Sequence, residues 1–144
     1  MKSKIFVVED HKEMRQAYAL LINREPDLEI YDMAVTGEEA LEKIESDPPD
    51  LVVIDLSLPG GMSGLKLIKQ LHEDRPNLPL LVVSGHDDVY YAEGVLQAGA
   101  HGFVDKKEAP YVMVDAIRRV LQGEQYLSER MRQKLENRKT RPLN

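Results

Sequence analysis

Five residues have side chains able to do joint chemistry, and each follows a short apolar run. Glu9-Asp10 follow Ile5-Phe6-Val7-Val8. Asp55 follows Leu51-Val52-Val53-Ile54, Ser84 follows Leu80-Leu81-Val82-Val83, and Lys106 follows His101–Asp105. Three carboxylates held close together repel, and some would be protonated at neutral pH unless a cation intervened. An oxygen-only set of ligands suits a hard cation such as Mg²⁺. A charged lysine does not ligate, but it pairs with a carboxylate or with an added phosphoryl group. A single Asp at the end of a strand is ordinarily a helix cap or turn former. Five matching residues at four run ends are not accounted for in that way.

The elements that must position them are legible. The three apolar runs are short, rich in β-branched residues and apolar throughout, which fits strands buried on both faces of a parallel sheet. Leu28-Glu29-Ile30-Tyr31 alternates instead and suits a sheet edge, and His101–Asp105 is a weaker fifth strand. Helical spacing recurs in Met14, Tyr18, Leu21 and Ile22, in Ala40, Leu41 and Ile44, in Leu65, Ile68 and Leu71, and in Val112, Ala116, Val120 and Leu121. A further helix is expected from about Val89 to Gln97, with Gly94 inside it. Strict β-α alternation predicts an α/β fold, a doubly wound parallel sheet with helices on both faces. A closed eight-fold barrel needs roughly 250 residues, and the chain has 144. In an open parallel sheet, ligands bind beyond the carboxyl ends of the strands where strand order reverses. The second strand ends in Met33-Ala34, with nothing chemical. The expected order is therefore 2-1-3-4-5, with the crevice between strands 1 and 3.

Composition narrows the function classes. There is no cysteine, which excludes disulfides, thiolate metal sites and thiol nucleophiles. The longest apolar runs, such as Ala17–Ile22, fall far short of the ~20 residues a membrane helix needs. No signal-peptide pattern opens the chain, so the expectation is a soluble, cytoplasmic protein. The formal net charge is −6. It is unevenly spread: residues 128–144 hold six basic and two acidic side chains, leaving that tail at +4 and residues 1–127 at −10. Such acidity argues against nucleic acid as the main partner of the globular part.

As an ordered set with this spacing, five stretches resemble the receiver domain of two-component response regulators. They are Val8-Glu9-Asp10-His11, Gly37-Glu38-Glu39-Ala40-Leu41, Asp55-Leu56-Ser57-Leu58-Pro59 with Gly64-Leu65, Ser84-Gly85-His86-Asp87, and Ala98 to Lys106. The resemblance runs from Lys4 to about Leu127. Arg24-Glu25-Pro26-Asp27-Leu28 and Ala116 to Val120 followed by Gly123 to Ser128 are further similar to the NarL/FixJ subfamily, which commonly carries a helix-turn-helix DNA-binding domain after the receiver. The resemblance implies a (βα)5 CheY-like, flavodoxin-like fold. It implies Asp55 as phosphoacceptor from a sensor histidine kinase. Glu9, Asp10, Asp55 and the backbone carbonyl of Ser57 would hold Mg²⁺, and Lys106 would neutralise phosphoryl charge. Ser84 and Phe103 become the switch pair, and Ser57 and His86 the residues that tune phosphate lifetime. Phe103 lacks the hydroxyl of the tyrosine often found there. The implied partners are the kinase, a phosphorylation-dependent homodimer, and DNA only through an effector domain absent from this chain. On this reading the protein is not an enzyme beyond its own phosphorylation and dephosphorylation.

Two departures from the family pattern stand out. The loop from Asp55 to Gly64 is one residue longer than usual, with Gly60-Gly61 as the insertion, and Lys107 replaces the proline that often follows the lysine. Residues 1–127 are expected to form the receiver, and 128–144 a basic tail or the start of a linker helix, with Leu127, Met131 and Leu135 at i, i+4, i+8. That tail is too short for a three-helix DNA-binding module. The chain is then a free-standing receiver acting by protein contact or a piece cut before its effector. A Mg²⁺-dependent phosphatase with an Asp nucleophile is disfavoured, because Ser57 stands where dehalogenase-like enzymes carry a second Asp. A dinucleotide site is disfavoured because Glu9-Asp10-His11-Lys12 offers no glycine loop.

Overall fold

A computed structural model describes residues 1–58, 60–85 and 89–140, with the side chains of 139 and 140 excepted. The elements are β1 (Ser3–Val8), α1 (Lys12–Asn23), β2 (Leu28–Ala34), α2 (Gly37–Ser46), β3 (Leu51–Asp55), α3 (Gly64–Asp74), β4 (Leu80–Ser84), α4 (Val89–Ala98), β5 (Gly102–Asp105), α5 (Ala109–Leu121) and α6 (Glu129–Thr140). The five strands form one parallel sheet in the order β2-β1-β3-β4-β5. This is the expected doubly wound α/β fold. The alternating β2 lies at an edge, as its pattern requires. At the other edge, Tyr126 makes a parallel bridge to Gly102 of β5.

Strand alternation divides the core into two layers. Ile5, Val7, Leu51, Val53, Leu81, Val83 and Val104 face α1 and α5, where they meet Tyr18, Ile22, Met113 and Ile117. Phe6, Val8, Val52, Ile54, Leu80, Val82 and Phe103 face the other helices, meeting Ile44, Leu67, Ile68 and Val95. Nearly all these side chains are fully buried, and each contributes about 1.5–3 kcal/mol by leaving water. Interior strands buried on both sides cannot alternate, which is why their sequences read as continuous apolar runs.

Several helix starts are fixed by side chains. The Thr36 hydroxyl accepts from Glu39 N and the Ser63 hydroxyl from Lys66 N, capping α2 and α3. Ser128 Oγ accepts from Met131 N at the start of α6. Leu127, Met131 and Leu135 are buried in the same cluster as Phe103 and Val95. Arg138 reinforces that packing, with its guanidinium 4.1 Å from the Tyr90 ring centroid and 3.5 Å from Glu93. Arg118 of α5 clamps the α1–β2 connection, with Nη2 2.7 Å from Glu25 and Nε and Nη2 3.0 and 2.8 Å from Asp27. These are residues of the two NarL/FixJ-like stretches, joined across more than ninety positions of sequence. The Arg118 hydrogen bond holds the Asp27 carboxyl below its ordinary range.

Candidate functional site

The site grows out of the same alternation. Glu9, Asp55 and Lys106 continue the odd-numbered and even-numbered rows of Val7, Val53 and Val104, and so emerge at the carboxyl edge on the α1/α5 side. Ser84 continues the row of Leu80 and Val82 and emerges on the opposite side, the side of Phe103. The crevice thus straddles the sheet edge. Among the described residues, Glu9, Asp55 and Ser84 are the buried polar ones, at 0%, 2% and 0% exposure. Ordinary globular domains do not bury acids without partners.

The partners are geometric neighbours. Lys106 Nζ lies 3.4 Å from Asp55 Oδ2 and 3.9 Å from Glu9 Oε1. Ser57 N donates to Asp55 Oδ1 at 3.0 Å. Lys106 N donates to the Ser84 carbonyl at 2.8 Å, tying the lysine loop to the end of β4. Asp10 sits at the rim with a quarter of its side chain exposed. Ser57 lies on the exposed lip, and Phe103 is buried against the core at 3% exposure. His86 lies outside the described residues.

Crowding sets the protonation. Burial, then hydrogen bonding and repulsion from Asp55, push the Glu9 carboxyl up to about 7. Burial also opposes ionisation of Asp55, but the Glu9 hydrogen bond, the Ser57 N–H and the Lys106 charge outweigh it and hold Asp55 below its ordinary value. Of the two acids, Glu9 is thus the one biased toward its neutral form and Asp55 the one biased toward ionisation.

A hard divalent cation fits these residues. Ligand atoms of Glu9, Asp10, His11 and Asp55 all lie within 4.8 Å of one another. Among the described residues, Glu9 Oε1 and Asp10 Oδ1 are buried side-chain oxygens that accept no hydrogen bond. A buried carboxylate oxygen that accepts no hydrogen bond costs free energy that a cation offsets.

Two contributors carry no signal in the sequence reading. Arg15 Nη1 donates to the carbonyls of Glu9 and Asp10 at 3.0 and 2.9 Å, fixing the turn that presents both acids. Its place, one helical turn into α1, is the only hint. His11, the N-cap of α1, makes no side-chain cap bond. Its Nδ1 lies 3.4 Å from Glu9 Oε2 and 3.2 Å from Asp10 Oδ1.

Known proteins resemble this chain in sequence and fold. Residues 5–118 match the family model described as the response regulator receiver domain. The oxygen regulatory protein NreC of Staphylococcus carnosus (strain TM300) is 33% identical over 134 residues, spanning 93% of this chain and 62% of that protein. The chain therefore spans somewhat under two thirds of the length of the curated relatives it matches. A crystal structure of a LuxR-family two-component response regulator from Aurantimonas sp. SI85-9A1 is 28% identical. It superposes with a TM-score of 0.90 over 98% of this chain and 100% of that one. A LuxR-family DNA-binding response regulator from Staphylococcus aureus is 26% identical. It covers 83% of this chain and 98% of its own, with a TM-score of 0.76. With a five-stranded sheet in the order 2-1-3-4-5 and acids gathered at its carboxyl edge, the chain belongs to the response regulator receiver family and is the receiver domain of a two-component response regulator related to the NreC and LuxR-type regulators.

Proposed function

We propose that Asp55 is the phosphoacceptor, taking a phosphoryl group from a phosphohistidine of a sensor histidine kinase. A carboxylate oxygen of Asp55 attacks phosphorus, the phosphorus–nitrogen bond breaks, and an acyl phosphate forms. The reaction needs an ionised nucleophile and neutralisation of charge on the equatorial oxygens, so it is mostly positioning and electrostatics. Asp55 meets the first requirement because the Ser57 N–H and the Lys106 charge help hold its carboxyl below the ordinary value. Lys106, 3.4 Å from Asp55 Oδ2, meets part of the second by pairing with a phosphoryl oxygen. Glu9, Asp10, Asp55 and the Ser57 carbonyl would hold Mg²⁺, which when bound supplies the remaining positive charge.

Ser84 donates its hydroxyl to the phosphoryl group, and Phe103, the other member of the switch pair, changes between two packings in response. Only a differential interaction with the phosphoryl group shifts the balance between the two packings. As in the family it resembles, Ser57 and His86 tune the lifetime of the phosphate, His86 by affecting access of the attacking water. Residues 1–127 form the receiver, and 128–144 a basic tail or the start of a linker helix. Output is control of transcription through a DNA-binding domain outside this chain, with a phosphorylation-dependent homodimer as the active form.

The observation that carries this reading is the Lys106 ammonium set against buried Asp55 and Glu9. Incubation with acetyl phosphate or phosphoramidate tests it by intact mass. One phosphoryl group should be gained only with Mg²⁺ present, and none by Asp55→Asn. A gain that persists in the variant assigns the acceptor elsewhere.

A further inference from the structure

We propose that Tyr18 is a positioning residue of the acidic crevice: its buried hydroxyl hydrogen-bonds the Glu9 carboxyl through one bridging water and so holds that acid in place. The inference deepens the phosphoacceptor reading above, and its kinetic arm rests on that reading. Tyr18 lies on the second turn of α1 and is 2% exposed. It packs in the layer of Val7, Val53 and Val104, whose rows end in Glu9, Asp55 and Lys106. The phenol therefore stands on the side of the sheet from which those three side chains emerge. Burial first, then the negative charges of Glu9 and Asp55, push the Tyr18 hydroxyl far above its ordinary value. The field that opposes a phenolate also draws the hydrogen of a neutral hydroxyl toward the acids.

The layer around Tyr18 has no need of a hydroxyl. Ile22, Met113 and Ile117 beside it are apolar, and a phenylalanine ring would fill the same space. Among the described residues, the Tyr18 hydroxyl and Glu9 Oε1 are both buried side-chain atoms without a hydrogen-bond partner. A buried tyrosine O–H ordinarily finds an acceptor. Here one orphan is a donor and the other an acceptor, so each meets the other's need. Lys106 Nζ stands 3.9 Å from Glu9 Oε1, beyond hydrogen-bond length, and does not satisfy that oxygen. No direct hydrogen bond joins the phenol to the acid. A water between two such groups makes both bonds, and buried waters characteristically serve polar groups that lack protein partners. A carboxylate has about four lone-pair sites, so the water and a cation can share Glu9.

Proton NMR in chelator, and Mg²⁺ titrations of phosphorylation by phosphoramidate, test this in the native chain, Tyr18→Phe and Glu9→Gln. A buried, hydrogen-bonded hydroxyl exchanges slowly with solvent. The native chain should therefore show a hydroxyl proton resonance that Tyr18→Phe removes. Glu9→Gln keeps the shape of the side chain and should move that resonance. Tyr18→Phe should raise the Mg²⁺ concentration for half-maximal rate about tenfold while leaving the rate at saturating Mg²⁺ within about threefold, because the hydroxyl acts on Glu9 and not on Asp55. A Tyr18 resonance that is absent, or that Glu9→Gln leaves in place, overturns the link, as does an unchanged Mg²⁺ dependence in Tyr18→Phe. In each of these cases phosphorylation of the native chain keeps the Asp55 reading standing. A native chain that is never phosphorylated overturns the Asp55 reading, and the resonance alone then decides the link.

Discussion

Lys106 and Asp55 lie 51 positions apart in sequence, yet the ammonium of one stands 3.4 Å from a carboxylate oxygen of the other. Lys106→Met keeps most of the apolar stem and removes the charge. The rate of phosphorylation by phosphoramidate should fall about 100-fold, the usual cost of losing one preorganised electrostatic partner, while Asp55 still reaches full phosphorylation given time. A rate within threefold of native would show that the lysine is only a structural counter-ion.

The raised Glu9 carboxyl makes metal-free stability pH-dependent. Its ordinary value is 4.5 and its folded value about 7, so between these the folded state binds the extra proton. Stability then declines as pH rises through that window and levels off above it. The midpoint of thermal unfolding in chelator should drop from pH 5 to pH 8, and Glu9→Gln should flatten this part of the profile. A native profile that rises over the same range would contradict the raised Glu9 carboxyl.

Gly64 begins α3 directly beneath the acceptor loop. A Cβ there would lie 2.6 Å from the Leu56 carbonyl oxygen and 2.9 Å from that of Asp55. These are backbone atoms of the loop itself, so the loop must move. Gly64→Ala should cost about 1–3 kcal/mol in urea unfolding and slow phosphorylation as well. Gly94→Ala serves as the control, because its Cβ would meet nothing within 4 Å.

Met131 is 4% exposed where α6 joins the cluster containing Phe103. Met131→Asp places a charge in that seam and should release α6 from the domain. Amide exchange should then rise along 129–140 while β1, β3 and β4 stay protected. Unchanged exchange in α6 would show that Arg138 and the Ser128 cap hold the helix without the apolar contact.

Most of the fold was readable in the sequence because buried parallel strands have a distinctive composition. Val52, Val53, Val82 and Val83 face opposite layers, and each must be apolar. The strand ends were readable for the same reason, since Glu9, Asp55, Ser84 and Lys106 interrupt those runs. Side-chain direction at a helix start was not: His11 follows the acids in sequence like any loop residue, and only the α1 N-cap geometry turns its ring back on them. The state of residues 129–140 was equally hidden. Three apolar residues at helical spacing in a basic segment fit either a solvated tail or a docked helix. What decides is the recess beside α4 and Phe103, which belongs to the tertiary structure. Of the two glycines at the one-residue insertion, only Gly60 adopts a positive φ, +89°.

The central claim is that phosphorus is held on the side chain of Asp55. The chain would be phosphorylated with phosphoramidate and Mg²⁺, reduced with borohydride, digested and sequenced by tandem mass spectrometry. An acyl phosphate is reduced to an alcohol, so homoserine should replace aspartate at position 55 and nowhere else. Homoserine at position 10, or a phosphate that resists borohydride on Ser84, would contradict the account.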